Sequence, residues 1–190
     1  MKNIILFASG SGSNAVKIIE HFNQGDFARV QAIFVNNPHA GIIEKAKKYN
    51  VPTVLFNREE FYQDSTVLEQ VKSFDPDVIG LAGFLWLIPS DFIEAFPNRI
   101  INIHPALLPK YGGKGMYGIN VHRAVVENKE RESGITIHLV NEKYDDGDYL
   151  FQATTPIDAN DTPEEVAAKV LKVEHANYPQ VIEEFLKSNG

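Results

Sequence analysis

Asn3-Ile-Ile-Leu-Phe-Ala-Ser-Gly-Ser-Gly-Ser-Asn14 joins an apolar run to a glycine-rich turn, and helical spacing follows it. A short apolar run that ends in a turn is typical of a buried strand. The next apolar residues recur as on one face of a helix, at Val16, Ile18, Ile19 and Phe22. The segment therefore predicts a strand over Asn3–Ala8, a turn, and a helix over Asn14–Phe22, which is the first unit of an alternating α/β fold.

The same alternation continues to Ile103. Further strands are predicted at Val30–Val35, Thr53–Phe56, Asp77–Ala82 and Ile100–Ile103. Helices are predicted between them, at Ile42–Tyr49, Val67–Phe74 and Asp91–Phe96. This order predicts a doubly wound, mostly parallel, Rossmann-like sheet with helices on both faces.

The pattern changes after Ile103. A long loop, His104–Gly118, precedes a predicted helix at Asn120–Asn128. Two strands are then expected to pair as an antiparallel hairpin: Gly134–Val140, with one solvent-facing side, and Tyr149–Thr154. The last helix is predicted to begin at Thr162-Pro163, with Thr162 as its N-cap. Because no linker or repeat interrupts this order, we expect one domain over residues 1–190.

Composition excludes several classes of function. The 190 residues carry a net charge of −7 and contain no cysteine. A net negative chain offers no general attraction for a nucleic-acid backbone, and the lack of cysteine excludes disulfides and thiolate metal sites. No segment has the pattern of a zinc or calcium site, and the first apolar run is too short to cross a membrane. We therefore expect no metal, nucleic acid or membrane partner, and a cytoplasmic location.

The turn Ser9–Asn14 is the first candidate binding site. Backbone N–H groups at the start of a helix, approached closely where side chains are small, form an anion site. The glycine spacing also fits a loose dinucleotide fingerprint, but Asn36-Asn37 stands where that fingerprint needs an acidic residue. We therefore expect no NAD. The alternative is a plain turn whose helix is capped by Ser13 or Asn14.

A polar pair and an acidic turn form the second candidate site. Alternation places Asn102 and His104 on one face at the end of a strand, where an amide and an imidazole can polarise a carbonyl and move a proton. The carboxylates of the turn Tyr144–Asp148 could orient an imidazole brought near by folding, and would raise the pKa of that imidazole. Asx-Gly segments are ordinary turns as well, so a purely structural role stays open. The other histidines are assigned structural roles: His21, His39, His122, His138 and His175.

Five segments together resemble one known family. They are Phe7-Ala-Ser-Gly-Ser-Gly-Ser-Asn14, Leu81-Ala-Gly-Phe84, Asn102-Ile-His-Pro-Ala-Leu-Leu-Pro109, Asp145-Asp-Gly147 and Glu174-His-Ala-Asn-Tyr-Pro179. Their order and spacing resemble the folate-dependent phosphoribosylglycinamide formyltransferases of purine synthesis. The resemblance runs from Asn3 to about Phe185. It implies the formyltransferase fold, and transfer of a formyl group from the cosubstrate 10-formyltetrahydrofolate to the amine of glycinamide ribonucleotide.

The resemblance also implies roles for particular residues. Asn102, His104 and Asp145 match the family's catalytic trio. Asp145 is then expected beside His104, where it would raise the His104 pKa and hold the ring protonated as the proton donor to N10 of the folate. The ribonucleotide site is matched by Gly12, Ser13, Asn14, Leu171, Lys172, Val173 and Glu174, with Glu174 on ribose hydroxyls. The folate site is matched by Leu85, Trp86, Leu87, Ile88, Asn102, Asn141, Glu142, Lys143, Tyr144 and Asp145.

This sequence departs from the family pattern on the folate side. Trp86 stands where many members have a basic residue, and the loop Tyr111–Gly118 is longer and richer in glycine. Arg58 is the candidate for holding the folate's glutamate tail. Two alternatives stay open: a formyltetrahydrofolate deformylase and a non-catalytic nucleotide-phosphate binding module. The expected partners are the small-molecule substrates, with the protein a monomer or a homodimer.

Overall fold

Seven strands form one sheet. In the computed structural model, which describes residues 1–189, they are β1 (Lys2–Ala8), β2 (Ala28–Val35), β3 (Thr53–Leu55), β4 (Val78–Leu81), β5 (Ile100–His104), β6 (Glu132–Leu139) and β7 (Tyr149–Pro156). The sheet order is β3-β2-β1-β4-β5-β6-β7. Strands β1 to β5 are parallel, whereas β6 is antiparallel to both β5 and β7. The predicted mostly parallel sheet with a C-terminal antiparallel pair is confirmed.

Seven helices cover the two faces of this sheet. They are α1 (Ser13–Phe22), α2 (Ile42–Lys47), α3 (Arg58–Tyr62), α4 (Thr66–Ser73), α5 (Ser90–Ala95), α6 (Ile119–Glu127) and α7 (Pro163–Ser188). In residues 1–189, no helix combines the length and the apolar composition that a membrane crossing requires.

Alternation along the strands divides the core into two clusters. Ile4 and Leu6 of β1 pack with residues of α1 and α7, whereas Ile5 and Phe7 face the other side. On that second side the fully buried Phe7 ring contacts aromatic rings at centroid distances of 5.2 to 6.1 Å. Burial of one such side chain stabilises the fold by about 1.5–3 kcal/mol. The alternate apolar residues of the strands thus bury the helices' apolar faces on both sides of the sheet.

Two expectations about these elements are wrong, and one alternative is set aside. Helix α3 was not expected; its five residues are too few to show a period, although Asn57 and Glu60 form a capping box at its start. The alternative of a turn capped by Ser13 or Asn14 is not what the structure has, because the N-cap of α1 is Gly12 and no side-chain hydrogen bond caps the helix. Strand β6 has no solvent-facing side: Thr136 and His138, on the side expected to face solvent, are both buried, and the loop after β5 covers Thr136 through hydrogen bonds with Ala106 and Leu108.

The long helix α7 fixes one wall of the functional region. It begins as predicted, with the Thr162 hydroxyl accepting a bond from the Glu165 amide, and it continues through Pro179. The buried Tyr178 hydroxyl lies 3.0 Å from the carbonyl oxygens of Leu81 and Ile101 and anchors the helix to β4 and β5.

Candidate active site

A cavity of about 790 Å³ opens at the carboxyl ends of β1, β4 and β5. The loops after these strands, the start of α6, the segment between β6 and β7, and the middle of α7 line its walls. β1 lies between β2 and β4, so the chain runs outward in both directions from this point. Such switch points are where open α/β sheets bind ligands.

The glycine-rich turn between β1 and α1 forms one end of the cavity. Gly12 has φ of +69°, and a Cβ there would lie 2.4 Å from the Cβ of Ile42. Only glycine fits this position. Because no side chain caps the helix, the amides of Ser13 and Asn14 have no capping partner, and the helix start can donate to an anion.

A buried carboxylate lies beside this turn. Glu174 of α7 accepts a hydrogen bond of 2.6 Å from the Asn14 side-chain amide, and both side chains are buried. Burial raises the pKa of Glu174, and the bond from Asn14 opposes that shift. Along the same segment, Leu171 also lines the cavity, whereas Lys172 is exposed and Val173 packs on the core. The helix thus presents Leu171 and Glu174 to the cavity and turns the other two residues away.

Asn102 and His104 lie side by side at the end of β5, and the antiparallel β6 brings a second histidine to them. Asn102 is the register partner of His138, and the Asn102 Nδ2 and His138 Nε2 atoms are 3.1 Å apart. The His138 Nδ1 atom lies 2.8 Å from the carbonyl oxygen of Leu139. All three side chains that this register brings together line the cavity.

Asp145 reaches the same cluster from the turn between β6 and β7. Its Oδ1 atom lies 3.5 Å from His104 Nδ1 and 3.6 Å from His138 Nε2, and its Oδ2 accepts a 2.9 Å bond from the Gly113 amide. Burial raises the pKa of Asp145, but His138, His104 and the Gly113 amide outweigh it, so the pKa lies below its ordinary value. The neighbouring Asp146 is exposed and faces Lys143 instead.

The proton positions on His104 follow from its partners. Its Nε2 atom lies 2.7 Å from the Tyr111 carbonyl oxygen, which can only accept, so Nε2 carries a proton. In the neutral ring Nδ1 is therefore the basic nitrogen, and it faces Asp145. The expected rise in the pKa of His104 is wrong: burial lowers the pKa more than Asp145 and the Tyr111 carbonyl raise it.

The folate-side segments are brought to the cavity in part, and the Leu85 amide donates a 3.2 Å hydrogen bond to Ser9 Oγ of the glycine-rich turn. Leu85, Trp86, Leu87 and Ile88 all line the cavity, as do Lys143 and Tyr144. Asn141 and Glu142 do not. The Trp86 ring packs on Phe56 and Phe61 at centroid distances of 5.9 Å.

Arg58 lies at the edge of this apolar segment. Its guanidinium carbon is 5.3 Å from the centroid of the Tyr62 ring and 5.1 Å from that of Trp86. The Tyr62 hydroxyl donates to the Leu87 carbonyl at 2.8 Å. The unexpected helix α3 therefore holds a cation against the Trp86 indole.

Two histidines assigned structural roles belong to this site. His138 contacts Asn102, and His122 of α6 lines the cavity with only 5% of its surface exposed. Burial, with the nearby His104, lowers the pKa of His122 to about 4, and its Nδ1 has no hydrogen-bond partner among residues 1–189. The sequence signal for His138 was the alternation of β6, which places His138 on the same side of the strand as Thr136, the polar side. No sequence signal marked His122.

Among the described residues 1–189, no group of three or more histidine, aspartate or glutamate side chains has an arrangement that could hold a metal ion. The polar cluster is therefore built from hydrogen bonds and one carboxylate. It can donate to a developing oxyanion and relay a proton.

Comparisons with known proteins agree on one family. A family model described as "Formyl transferase" matches residues 2–182. The chain is 34% identical over 189 residues to phosphoribosylglycinamide formyltransferase of Escherichia coli, covering 96% of this chain and 86% of that protein. It is 43% identical over 187 residues to the chloroplastic phosphoribosylglycinamide formyltransferase of Arabidopsis thaliana. That match covers 95% of this chain and 64% of the plant protein, so the chain spans less than two thirds of that relative's length.

Solved structures give the same result. A glycinamide ribonucleotide transformylase 1 from Symbiobacterium toebii superposes with a TM-score of 0.91 at 29% identity, covering 99% of this chain and 89% of that one. A phosphoribosylglycinamide formyltransferase from Brucella melitensis superposes with a TM-score of 0.87 at 34% identity, covering 97% and 95% of the two chains.

Proposed function

Because the chain belongs to the formyl transferase family, we propose that it transfers the formyl group of 10-formyltetrahydrofolate to the amine of glycinamide ribonucleotide, a step of purine biosynthesis. One observation carries the proposal. A single cavity joins an uncapped, anion-accepting helix start to the cluster of Asn102, His104 and Asp145. A phosphate anchored at the first would extend the attached amine toward the second.

The ribonucleotide occupies the α1 end of the cavity. The amides of Gly12, Ser13 and Asn14 donate to its phosphate, and the α1 dipole favours that negative charge. Glu174, which Asn14 already fixes by a 2.6 Å bond, accepts from ribose hydroxyls. Leu171 packs against the sugar. Lys172 and Val173 support this segment of α7 without contacting the substrate.

The folate occupies the rest of the cavity. The Leu85–Ile88 segment gives the pterin an apolar slot, which Tyr144 and Lys143 close from the opposite side. Arg58, held against Trp86, takes a carboxylate of the glutamate tail. Trp86 thereby substitutes for the usual basic residue by positioning a cation from α3. Asn141 and Glu142 shape the turn that carries Lys143, whose amide bonds the Asn141 side chain.

The reaction begins when the amine nitrogen attacks the formyl carbon. A C–N bond forms, and the carbonyl electron pair moves to oxygen, giving a tetrahedral intermediate with an oxyanion. The Asn102 Nδ2–H donates to that oxyanion. Removing one such donor from a preorganised site typically costs 10²–10³-fold in rate. Holding both substrates in one cavity supplies much of the remaining acceleration.

His104 then moves one proton. Its neutral ring is basic at Nδ1, so it accepts the proton that the attacking amine releases. Asp145, 3.5 Å from Nδ1, stabilises the imidazolium. The same proton passes to N10 as the bond between the formyl carbon and N10 breaks. The products are the formylated amine and tetrahydrofolate, and His104 returns to its neutral form. The lowered pKa suits a ring that begins each turnover without the proton.

An assay of formyl loss from 10-formyltetrahydrofolate, with and without glycinamide ribonucleotide, tests this proposal. Loss that needs the ribonucleotide supports the transferase. Loss without it indicates a deformylase, and ribonucleotide binding with no loss of formyl indicates a non-catalytic module.

The cytoplasmic location, the single-domain organisation over 1–190, the absence of nucleic-acid partners, and the monomeric or homodimeric state stay predictions. Plant relatives carry the description chloroplastic.

A further inference from the structure

The contact between His138 and Asn102 has a direction that their other partners determine. The Leu139 carbonyl oxygen, 2.8 Å from His138 Nδ1, can only accept a hydrogen bond, so Nδ1 carries the proton. In the neutral ring Nε2 then has a lone pair and no proton. Nε2 can therefore only accept from the Asn102 side chain, 3.1 Å away.

This direction fixes the orientation of the Asn102 amide. An amide has two N–H groups on one side and an acceptor oxygen on the other. The nitrogen side must face His138. One N–H of Asn102 Nδ2 then points to His138 Nε2, and the second N–H of the same atom points elsewhere. Among residues 1–189, that second N–H has no hydrogen-bond partner, and Asn102 lines the cavity. The opposite orientation would put two lone pairs against each other at Nε2.

Asp145 competes for the same nitrogen. Its Oδ1 lies 3.6 Å from His138 Nε2, beyond a good hydrogen bond, and would attract a proton on it. Such a proton is what lets His138 contribute to the lowered pKa of Asp145, so Asp145 and the Leu139 carbonyl favour opposite protonation of Nε2. A proton there would turn the amide oxygen of Asn102 toward His138. The groups that face the His138 ring are Asn102 and His104 of β5, the Leu139 carbonyl of its own strand, and Asp145 of the following turn.

We infer that His138 is a positioning residue. Through its Nδ1–H tautomer it holds the Asn102 amide with the nitrogen toward His138 Nε2, so that the second N–H of that nitrogen is presented to the oxyanion. The inference rests on the proposed formyl transfer. It adds one role to that proposal: His138 determines whether the substrate contacts the N–H or the oxygen of the Asn102 amide.

Substitutions that keep or remove the acceptor separate this role from a structural one. In His138→Gln the amide oxygen can take the place of Nε2 as acceptor, whereas His138→Leu removes it. Because the donor remains but is no longer oriented, His138→Leu should lower kcat about ten- to a hundredfold, less than outright loss of an oxyanion donor. KM for both substrates should change less than about twofold, since ground-state contacts remain. His138→Gln should recover most of kcat, and the exposed His39→Gln is the matched control.

Nitrogen-15 NMR of wild-type protein labelled in its histidine rings tests the tautomer directly and needs no turnover. The inference requires a proton on His138 Nδ1 and none on Nε2 at neutral pH. A proton on Nε2, equal kcat values in the Gln and Leu variants, or a loss confined to KM would overturn it. A wild-type protein without transferase activity would count against the proposed function, while the tautomer result would still decide the orientation.

Discussion

Replacing Asp145 with Asn should lower the pKa of His104 further and slow formyl transfer. Asp145 Oδ1 lies 3.5 Å from His104 Nδ1, with side-chain exposures of 11% and 5%. Burial lowers the pKa of His104 and the Asp145 carboxylate opposes that shift by favouring the imidazolium, so removing the charge should lower the His104 pKa further. Asn keeps the shape and an acceptor for the Gly113 amide. The expected rate loss at neutral pH is on the order of 10²–10⁴-fold, because the imidazolium loses its stabilising charge.

NMR titration of the His104 ring protons measures this shift, and kcat/KM against pH measures its consequence. In wild type, activity should rise as His104 loses its proton, and this acidic limb should move to lower pH in Asp145→Asn. Asp146→Asn is the matched control, since that exposed carboxylate faces only Lys143. A His104 pKa that stays in place in Asp145→Asn, or shifts equally in Asp146→Asn, would refute the assignment of Asp145.

Three further substitutions or treatments test separate parts of the site. Gly12→Ala puts a Cβ against the Ile42 side chain in a left-handed conformation, so the turn must move and its amides shift from the anion site; losing one charge-assisted hydrogen bond, about 1.5–3 kcal/mol, should lower ribonucleotide affinity by calorimetry about tenfold or more while folate affinity is retained, and equal weakening of both would make the turn merely structural. Trp86→Ala removes the ring that holds the exposed Arg58, a contact worth about 0.5–1 kcal/mol at an exposed site, so KM for the folate should rise about two- to fivefold and that for the ribonucleotide should not; an unchanged folate KM would remove Arg58 and Trp86 from that site. Exhaustive chelation should leave kcat intact, because the proposed proton transfer uses only His104; a loss restored by added zinc would contradict the mechanism.

The parallel half of the fold was predictable because each buried strand carries a continuous apolar run. Ile4 and Phe7 lie on opposite faces of β1 and both are fully buried. The glycines after β1 indicate the turn whose amides form the candidate anion site. The hairpin was also predictable from its turn. The buried state of β6 was not, because Thr136 and His138 look solvent-exposed until β5, the loop after it and β7 supply their partners. Thr136 in fact donates to the Ala106 carbonyl and accepts from Leu108 and Gln152.

The site residues at strand ends were predictable from the sequence. Properties of the site that depend on tertiary contacts, such as burial and hydrogen-bond partners, were not. The proximity of His104 and Asp145 was expected from the resemblance. The direction of the pKa shift depended on how deeply folding buries His104, which no local pattern reveals. The hydrogen bond from His104 to the Tyr111 carbonyl was equally hidden, since it places loop backbone against the ring.

Tracing a carbon-13 label from the formyl group of 10-formyltetrahydrofolate tests the central claim most directly. In the presence of glycinamide ribonucleotide, the label should appear on the ribonucleotide amine, one for each folate consumed, with no labelled formate. Labelled formate released at the same rate with or without the ribonucleotide would contradict the account.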